Sequence, residues 1–338
     1  MRSDRLLWIV FGVLAVAAIV LIWNRRTPAP DAWESTFGYE DVERVDRIHM
    51  LDKLGNEMWL RRTDDGWTVN GEHPARQHLV DQALEAIAIM EPDKPVGSAA
   101  HDTEVKAIMA SSTFVEVFAG GDEPVRQYHV GGASVDGRRT MVLRQRGREA
   151  ASRPYEVKLP GFKGSFSARF MVDPVAWRSR DVFAFAPEEI DRIAIDYIDD
   201  DSLASFSLDL ERGELTIADR IIPMEFLDAD AVEAYTQHFR NLTLEAYEND
   251  FANRDSVEWN QRYATVTVTV DGRDHVAELF HMAINERSKA AYFGRPLPEW
   301  DPDRYWALIN DGRDWVMVQH YVWGRALLDP YALIAPQQ

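Results

Sequence analysis

The chain contains no cysteine among its 338 residues. This absence excludes disulfide bonds, thiolate metal sites and cysteine nucleophiles, and it leaves the redox compartment undecided. Lysine is also scarce, since six of the 37 basic residues are lysine and the rest are arginine. Acidic residues number 56, which gives a formal charge of −19. Such a negative field repels phosphate backbones, so we predict no nucleic-acid partner and interpret the acids as a well-solvated surface.

Sequence signatures of catalysis are missing as well. The chain has no zincin helix motif, Walker loop, dinucleotide-binding fingerprint or Gly-x-Ser-x-Gly elbow. His275 and His281 can share one side of a strand, but no third ligand follows at a spacing that zinc requires. The aspartates at 196 and 199–201 are interpreted as a solvated turn, because they lack the glycine and terminal glutamate of a calcium-binding EF-hand loop. We therefore predict a non-enzymatic protein with no cofactor and no metal site.

One long apolar run is present, at the N-terminus. Leu6 to Trp23 form 18 positions without charge or proline, which is about 27 Å as a helix and enough to span a bilayer core. Asn24-Arg25-Arg26 follows without the small residues of a cleavage site, so an uncleaved signal-anchor at residues 1–26 is favoured over a cleaved signal peptide. We expect a single-pass protein of the cytoplasmic (inner) membrane whose body faces the periplasm. A cytoplasmic body stays open as an alternative, because arginines flank both ends of the span.

The body contains an internal repeat. Val45-Asp46-Arg47-Ile48 recurs as Ile190-Asp191-Arg192-Ile193, and each copy opens a run of alternating apolar residues. In both copies strand-like stretches precede one amphipathic helix, and further strands and a last hairpin follow it. The pattern predicts an α+β fold with two tandem related modules, each an antiparallel sheet with one packed helix.

The repeat also sets the predicted domain boundaries. Proline, serine and glycine without any period indicate a linker that lifts the body off the bilayer. In chain order the predicted segments are the linker at 27–40, the first module at 41–160, a bridge at 161–189, the second module at 190–330 and a tail at 331–338.

Three short motifs around the bridge carry a resemblance to a known family. They are Leu159 to Gly164 (LPGFKG), Trp177 to Phe183 (WRSRDVF) and Pro187 to Ile193 (PEEIDRI). Together with the N-terminal anchor and Gly66-Trp67, they resemble the domain of unknown function 4340 family over about residues 40 to 330. The resemblance implies an envelope protein often encoded beside the permease, auxiliary and ATPase components of a gliding-motility-type ABC transporter. The family has no catalytic signature, so no site residue is transferred.

Two sets of residues are candidate interaction sites. In the bridge, Arg178 and Arg180 follow Trp177, and two guanidinium groups on one side of an extended segment can clamp a carboxylate or a partner backbone. The alternative is that Trp177 fills the seam between the modules while the arginines pair with acids. The second set lies in the aromatic C-terminal stretch, where core, protein interface and glycan platform stay open as interpretations. Its members are Trp300, Trp306 and Trp323.

These observations favour a structural or interaction protein. We interpret the chain as a membrane-anchored extracytoplasmic accessory component of an ABC-type transport system, with permease or auxiliary subunits as its partners. The alternative is a periplasmic binding module for glycan or peptide, which would use the C-terminal aromatic residues. An enzyme would need convergent titratable groups in a cleft.

Overall fold

The computed structural model describes residues 11, 14–16, 31–198, 204–291 and 294–336. The predicted membrane anchor, Leu6 to Trp23, lies outside the described residues except for four positions, as do the start of the predicted linker and the aspartates at 199–201. No helix within the described ranges combines the length and the apolar character needed to cross a membrane. The described chain divides into two compact units, Met1–Ser179 and Arg180–Gln338. This division falls inside the predicted bridge.

The first unit is built on an antiparallel sheet of ten strands. The strand order is β4-β3-β2-β1-β6-β7-β8-β10-β5, and β9 pairs with β8. Two-residue periodicity sends alternate side chains of each strand to opposite faces. The strands are β1 (Arg47–Leu51), β2 (Glu57–Thr63), β3 (Gly66–Val69), β4 (His73–Pro74), β5 (Glu91–Pro95), β6 (Thr113–Phe118), β7 (Arg126–Ala133), β8 (Thr140–Arg146), β9 (Glu149–Ala150) and β10 (Tyr155–Lys158).

Two helices cover opposite faces of this first sheet. Helix α1 (Gln77–Ile89) packs its apolar side into the main core, which also contains Val142 of β8. Helix α2 (His101–Ser111) contributes Ile108 to a smaller cluster with Met141 and Leu143, the neighbours of Val142 on β8. The sequence predicted one helix in this module, and that part of the prediction is wrong. Helix α2 buries Ile108 alone among its residues, so its sequence has little apolar periodicity of the helical kind.

The predicted linker joins the first core within its described part. Ala32–Ser35 form a 3₁₀ helix, and the Phe37 side chain is buried in the core of the first unit. The hydroxyl of the fully buried Tyr128 donates a hydrogen bond of 2.6 Å to the carbonyl of Phe37. The described part of the predicted linker, residues 31–40, is therefore packed onto the first unit, where Trp33, Phe37 and Tyr39 contact the apolar clusters.

A buried carboxylate fixes the same segment. Glu34 Oε2 accepts hydrogen bonds of 2.6 Å from both the backbone N–H and the hydroxyl of Ser152. Burial acts to raise the pKa of Glu34, but the hydrogen bonds from Ser152 and Asp31 and the charge of Arg153 outweigh it, so the pKa lies below its usual value. A carboxyl whose pKa is lowered by folding stabilises the fold above its unfolded pKa, and this contribution is lost as the pH falls through the folded pKa.

We expect Ser152→Ala to lower the free energy of unfolding by about 1 kcal/mol at pH 7, because one hydrogen bond to a charged group is lost. The difference between the variant and the parent should shrink as the pH falls below the usual pKa of a glutamate, about 4.3, and then through the lowered pKa of folded Glu34. Urea denaturation of the full chain at each pH measures it. A difference that stays constant over that range would show that the Glu34 charge is not involved.

The bridge is divided between the units. Phe166, Phe170 and Trp177 belong to the core of the first unit, where the short helix α3 (Pro174–Trp177) begins after a capping aspartate. In the second unit, β11 (Asp181–Phe183) pairs with β16 (Leu242–Thr243) as a separate two-stranded ribbon. The segment is therefore two separate packed stretches rather than one extended connection.

The second unit is built on an antiparallel sheet of nine strands, in the order β15-β14-β13-β12-β18-β19-β20-β21-β17. The sequence predicted one helix here as well, and that is wrong, since the described helices are α4 (Ala229–Gln237), α5 (Arg254–Asn260), α6 (Glu286–Ala291) and α7 (His320–Trp323). The strands are β12 (Ile190–Tyr197), β13 (Phe206–Asp209), β14 (Glu214–Ile217), β15 (Arg220–Pro223), β17 (Ala246–Tyr247), β18 (Arg262–Val270), β19 (Arg273–Ala283), β20 (Trp300–Ile309) and β21 (Asp314–Gln319).

The two sheets have the same strand order when β9 and the ribbon strands β11 and β16 are left out and the other strands are counted along each unit. In the first, Ile48 of β1 pairs with Leu60 and Val117 on its two neighbours, and all three side chains are buried. In the second, Ile193 of β12 pairs with the equally buried Leu208 and Val268. The α+β class with antiparallel sheets and few helices is thus confirmed. The two last hairpins, β8 with β10 and β20 with β21, also pair as the sequence predicts.

The predicted tail packs against the second unit in its described part. Pro330–Leu333 form a 3₁₀ helix, and the Leu333 side chain is buried. Ile334 then forms an isolated β-bridge with Leu227. Residues 331–336 are therefore part of the fold of this unit.

Candidate functional site

The residues nominated from the sequence differ in their exposure to solvent. Trp177 is 1% exposed, and its indole N–H donates a hydrogen bond of 2.9 Å to the carbonyl of Met171. Arg178 is buried whereas Arg180 is exposed. Of these two arginines only Arg180 is therefore exposed, and Trp177 ends a short helix rather than opening an extended segment.

The C-terminal aromatic residues are mostly built into the second unit. Trp323 is fully buried, and its indole N–H donates to the carbonyl of Thr243 at 3.0 Å. Trp306 is half-buried and stacks on Phe251 with ring centroids 4.6 Å apart. Trp300 is also half-buried and stacks on His281 at 5.0 Å. Core packing thus accounts for Trp323, and the aromatic stretch does not form an open stacking platform as a whole.

A titratable cluster lies on the first sheet, on the face opposite helix α1. The ring nitrogens of His49 lie 2.9 Å from Glu57 Oε1 and 2.8 Å from Glu116 Oε2. Trp59 stacks on the imidazole at 4.3 Å, and the Gln127 amide donates to the second oxygen of Glu116. Because carboxylates occupy both ring nitrogens, neither nitrogen is left for a substrate or a metal. In the described part of the chain, no three His, Asp or Glu side chains are placed to hold a metal ion.

An apolar groove lies at the β15 edge of the second sheet. Strand β15 pairs with β14 on one side and ends the strand order on the other, so no described strand covers its second edge. The groove has a volume of about 430 Å³. Its lining residues are Arg220, Ile221, Ile222, Pro223, Glu225, Phe226, Ile334, Ala335 and Pro336. We call this region the β15 groove.

The C-terminal segment positions the apolar wall of the β15 groove. A 3₁₀ turn follows β15, and the N–H of Ala335 donates a hydrogen bond of 3.0 Å to the carbonyl of Phe226. The N–H of Asp228 donates to the carbonyl of Leu333 at 2.9 Å, so the two segments run side by side. These backbone bonds hold the Phe226 region in place although the Phe226 side chain remains 56% exposed.

Two large apolar side chains of the β15 groove face solvent. Ile221 is 60% exposed, whereas its neighbour Ile222 is buried. The sequence contains a signal for the exposure of Ile221. Because successive strand residues face opposite sides, the pair Ile221-Ile222 forces one isoleucine away from the core. Pro223 ends the strand and lacks an N–H, which limits how far another strand can extend along this edge.

The chemistry available at the β15 groove is recognition of an extended apolar segment. A free strand edge offers unpaired backbone N–H and C=O groups, and exposed aliphatic and aromatic side chains offer apolar contact area. Arg220 and Glu225 add one charge of each sign among the lining residues.

Comparison of the chain with models of known protein families, with curated proteins and with solved structures found no match.

Proposed function

We propose that the chain is a non-enzymatic, membrane-anchored protein of the cell envelope that acts as an accessory component of an ABC-type transport system. The observation that carries the proposal is the β15 groove, where a free sheet edge and exposed Ile221 and Phe226 lie together. The apolar run from Leu6 to Trp23 supports the anchor, and the resemblance of the bridge motifs supports the transporter context. The common strand order of the two sheets supports their origin as related modules.

The partner would bind by adding a strand. In this mode an extended segment pairs with a free sheet edge through main-chain hydrogen bonds, while alternate side chains enter neighbouring pockets. A periplasmic segment of a permease or auxiliary subunit fits this requirement when it presents apolar side chains to Ile221 and Phe226. The short length of β15 restricts the main-chain contribution, so the apolar contacts carry much of the affinity and specificity.

We expect the double variant Ile221→Asp with Phe226→Asp to recover at least about tenfold less permease or auxiliary subunit than the parent in a pull-down from native membranes. Both side chains are exposed, so the charges remove apolar contact without disturbing the core. Quantitative mass spectrometry of the recovered complexes, purified in mild detergent, gives the measurement.

The matched control is the double variant Leu54→Asp with Val135→Asp, which introduces the same two charges at exposed aliphatic residues of the first unit. It should leave recovery unchanged. Equal loss in both variants would mean that added charge alone is responsible. The proposed partnership would be overturned if the parent protein recovered no transporter subunit. Protease treatment of intact spheroplasts tests the location of the body, since digestion from outside is expected for a periplasmic body.

A further inference from the structure

A second groove of the second unit lies beside helix α5, and we call it the α5 groove. Its volume is about 580 Å³. Helix α5 and strands β18, β19 and β20 provide the lining, and Phe280 and Leu308 supply its apolar part. The lining residues are Asp255, Glu258, Trp259, Arg262, Glu278, Phe280 and Leu308.

Trp259 is the exceptional residue of this groove, because its side chain is 87% exposed. Helix α5 is already attached by Val257, which is buried in a cluster with Phe280 and Trp315. Trp259 therefore contributes little to holding the helix in place. An indole left in water offers a large, rigid aromatic face, the residue type that most often dominates binding energy at recognition surfaces.

The charged residues that line the α5 groove favour a positively charged ligand. Three carboxylates and one guanidinium line it, which leaves a net charge of −2. Arg262 is paired with Glu278 at 2.6 Å, and Arg254 outside the lining contacts Glu258. Among the described residues, Asp255 has no side-chain partner. An unpaired carboxylate and an exposed indole on one helix are complementary to a cation and unsuited to an anion.

Among cationic groups, the guanidinium of arginine fits Trp259 and Asp255 best. An arginine guanidinium is planar, stacks on an aromatic face and can donate two parallel hydrogen bonds to one carboxylate. Cation–π attraction is strongest for tryptophan among the aromatic side chains. The formal charge of −19 on the chain favours the approach of a basic segment over long range.

We propose that the α5 groove binds an arginine side chain of a basic protein segment, with the guanidinium stacked on Trp259 and hydrogen-bonded to Asp255. This site is separate from the β15 groove in its lining residues and does not depend on the proposed transport role. It assigns to the second unit a recognition of cationic peptide that the apolar β15 groove does not provide.

Fluorescence anisotropy with a labelled Gly-Arg-Arg-Gly peptide and the full-length protein in detergent micelles tests the proposal. We expect Trp259→Ala to raise the Kd about fivefold, because the stacking contact is lost, and Asp255→Asn to raise it about threefold or more. A peptide in which glutamine replaces both arginines should bind at least about tenfold more weakly than the arginine peptide. Binding should weaken as salt increases from 50 to 300 mM.

Two matched variants separate a specific site from general attraction to an acidic protein. Tyr321→Ala removes an aromatic side chain that is 85% exposed in the same unit, and Asp311→Asn removes a carboxylate that is 91% exposed. Both should leave the Kd within twofold of the parent. The proposal is overturned if these controls weaken binding as much as Trp259→Ala and Asp255→Asn do, or if the glutamine peptide binds equally well. Thermal denaturation confirms that each variant remains folded.

Discussion

Replacing Trp177 by alanine should lower the free energy of unfolding by about 3–5 kcal/mol, the loss usual for truncating a buried tryptophan. The side chain is 1% exposed and lies in the main core of the first unit with Phe166 and Phe170. Its indole N–H donates to the carbonyl of Met171, and its own carbonyl accepts from the N–H of Arg76, which caps helix α1. Truncation therefore creates a cavity and leaves the Met171 carbonyl without this donor.

Urea denaturation of the full-length protein in detergent measures this effect, and two variants bracket it. Trp177→Phe keeps most of the apolar volume and should cost clearly less than the alanine variant. Trp259→Ala removes the same side chain from a position that is 87% exposed and should change the stability by less than about 0.5 kcal/mol. If Trp177→Ala also changes the stability by less than about 0.5 kcal/mol, Trp177 is not part of the core, and an interface role becomes the better interpretation.

The second large effect should follow from Arg304→Met, which we expect to cost about 2–3 kcal/mol because hydrogen bonds between charged groups are lost. The Arg304 side chain is almost fully buried, and its guanidinium donates two hydrogen bonds to Glu245, at 2.7 and 3.1 Å. The hydrogen bond to Glu245, together with the charges of Glu245, Asp301 and Asp303, raises the pKa of Arg304. Methionine keeps the apolar stem but removes the guanidinium that donates to Glu245.

Arg313→Met is the control for that experiment. Its side chain is 77% exposed and lies 3.7 Å from Asp311, an exposed pair that contributes little to stability. We expect a change below about 0.5 kcal/mol for Arg313→Met. Similar losses in both variants would indicate that a general charge effect, rather than the Glu245 pair, determines the result. The Arg304 loss should also persist in 0.5 M salt, since buried pairs are weakly screened.

Local sequence patterns predicted many of the strands and hairpins of the fold. Alternation at Val115 and Val117, and again at Val266 and Val268, predicted strands whose inward residues are buried. The hairpin at Asn310-Asp311-Gly312 was predictable because asparagine, aspartate and glycine tolerate positive φ, and all three adopt it. Helix α2 and the packed segment around Phe37 were missed. Their positions depend on tertiary contacts, with β8 and with Tyr128, that no local period encodes.

For the candidate sites, the residue type does not reveal whether a side chain is buried or exposed. Trp177, Trp259 and Trp323 are chemically identical in the sequence, yet two are buried and one faces solvent. Tryptophan and arginine are enriched both in cores and at interfaces, so residue type alone did not separate the two uses. The discriminating information is burial, which for Trp259 follows from the side of helix α5 that Val257 already occupies. For Ile221, neighbouring Ile222 supplied a usable signal, since a strand cannot bury both.

The position of β10 in the first sheet constrains the order in which that sheet can be completed. Strand β10 is the last of the sheet to be synthesised, yet it lies between β8 and β5, which was made before β6. In the second sheet β21 likewise lies between β20 and the earlier β17. Until the final strand emerges from the ribosome, β5 or β17 has no neighbour. The pairing of β5 with β10, and of β17 with β21, therefore joins segments that are distant in sequence, and contacts of this kind slow folding.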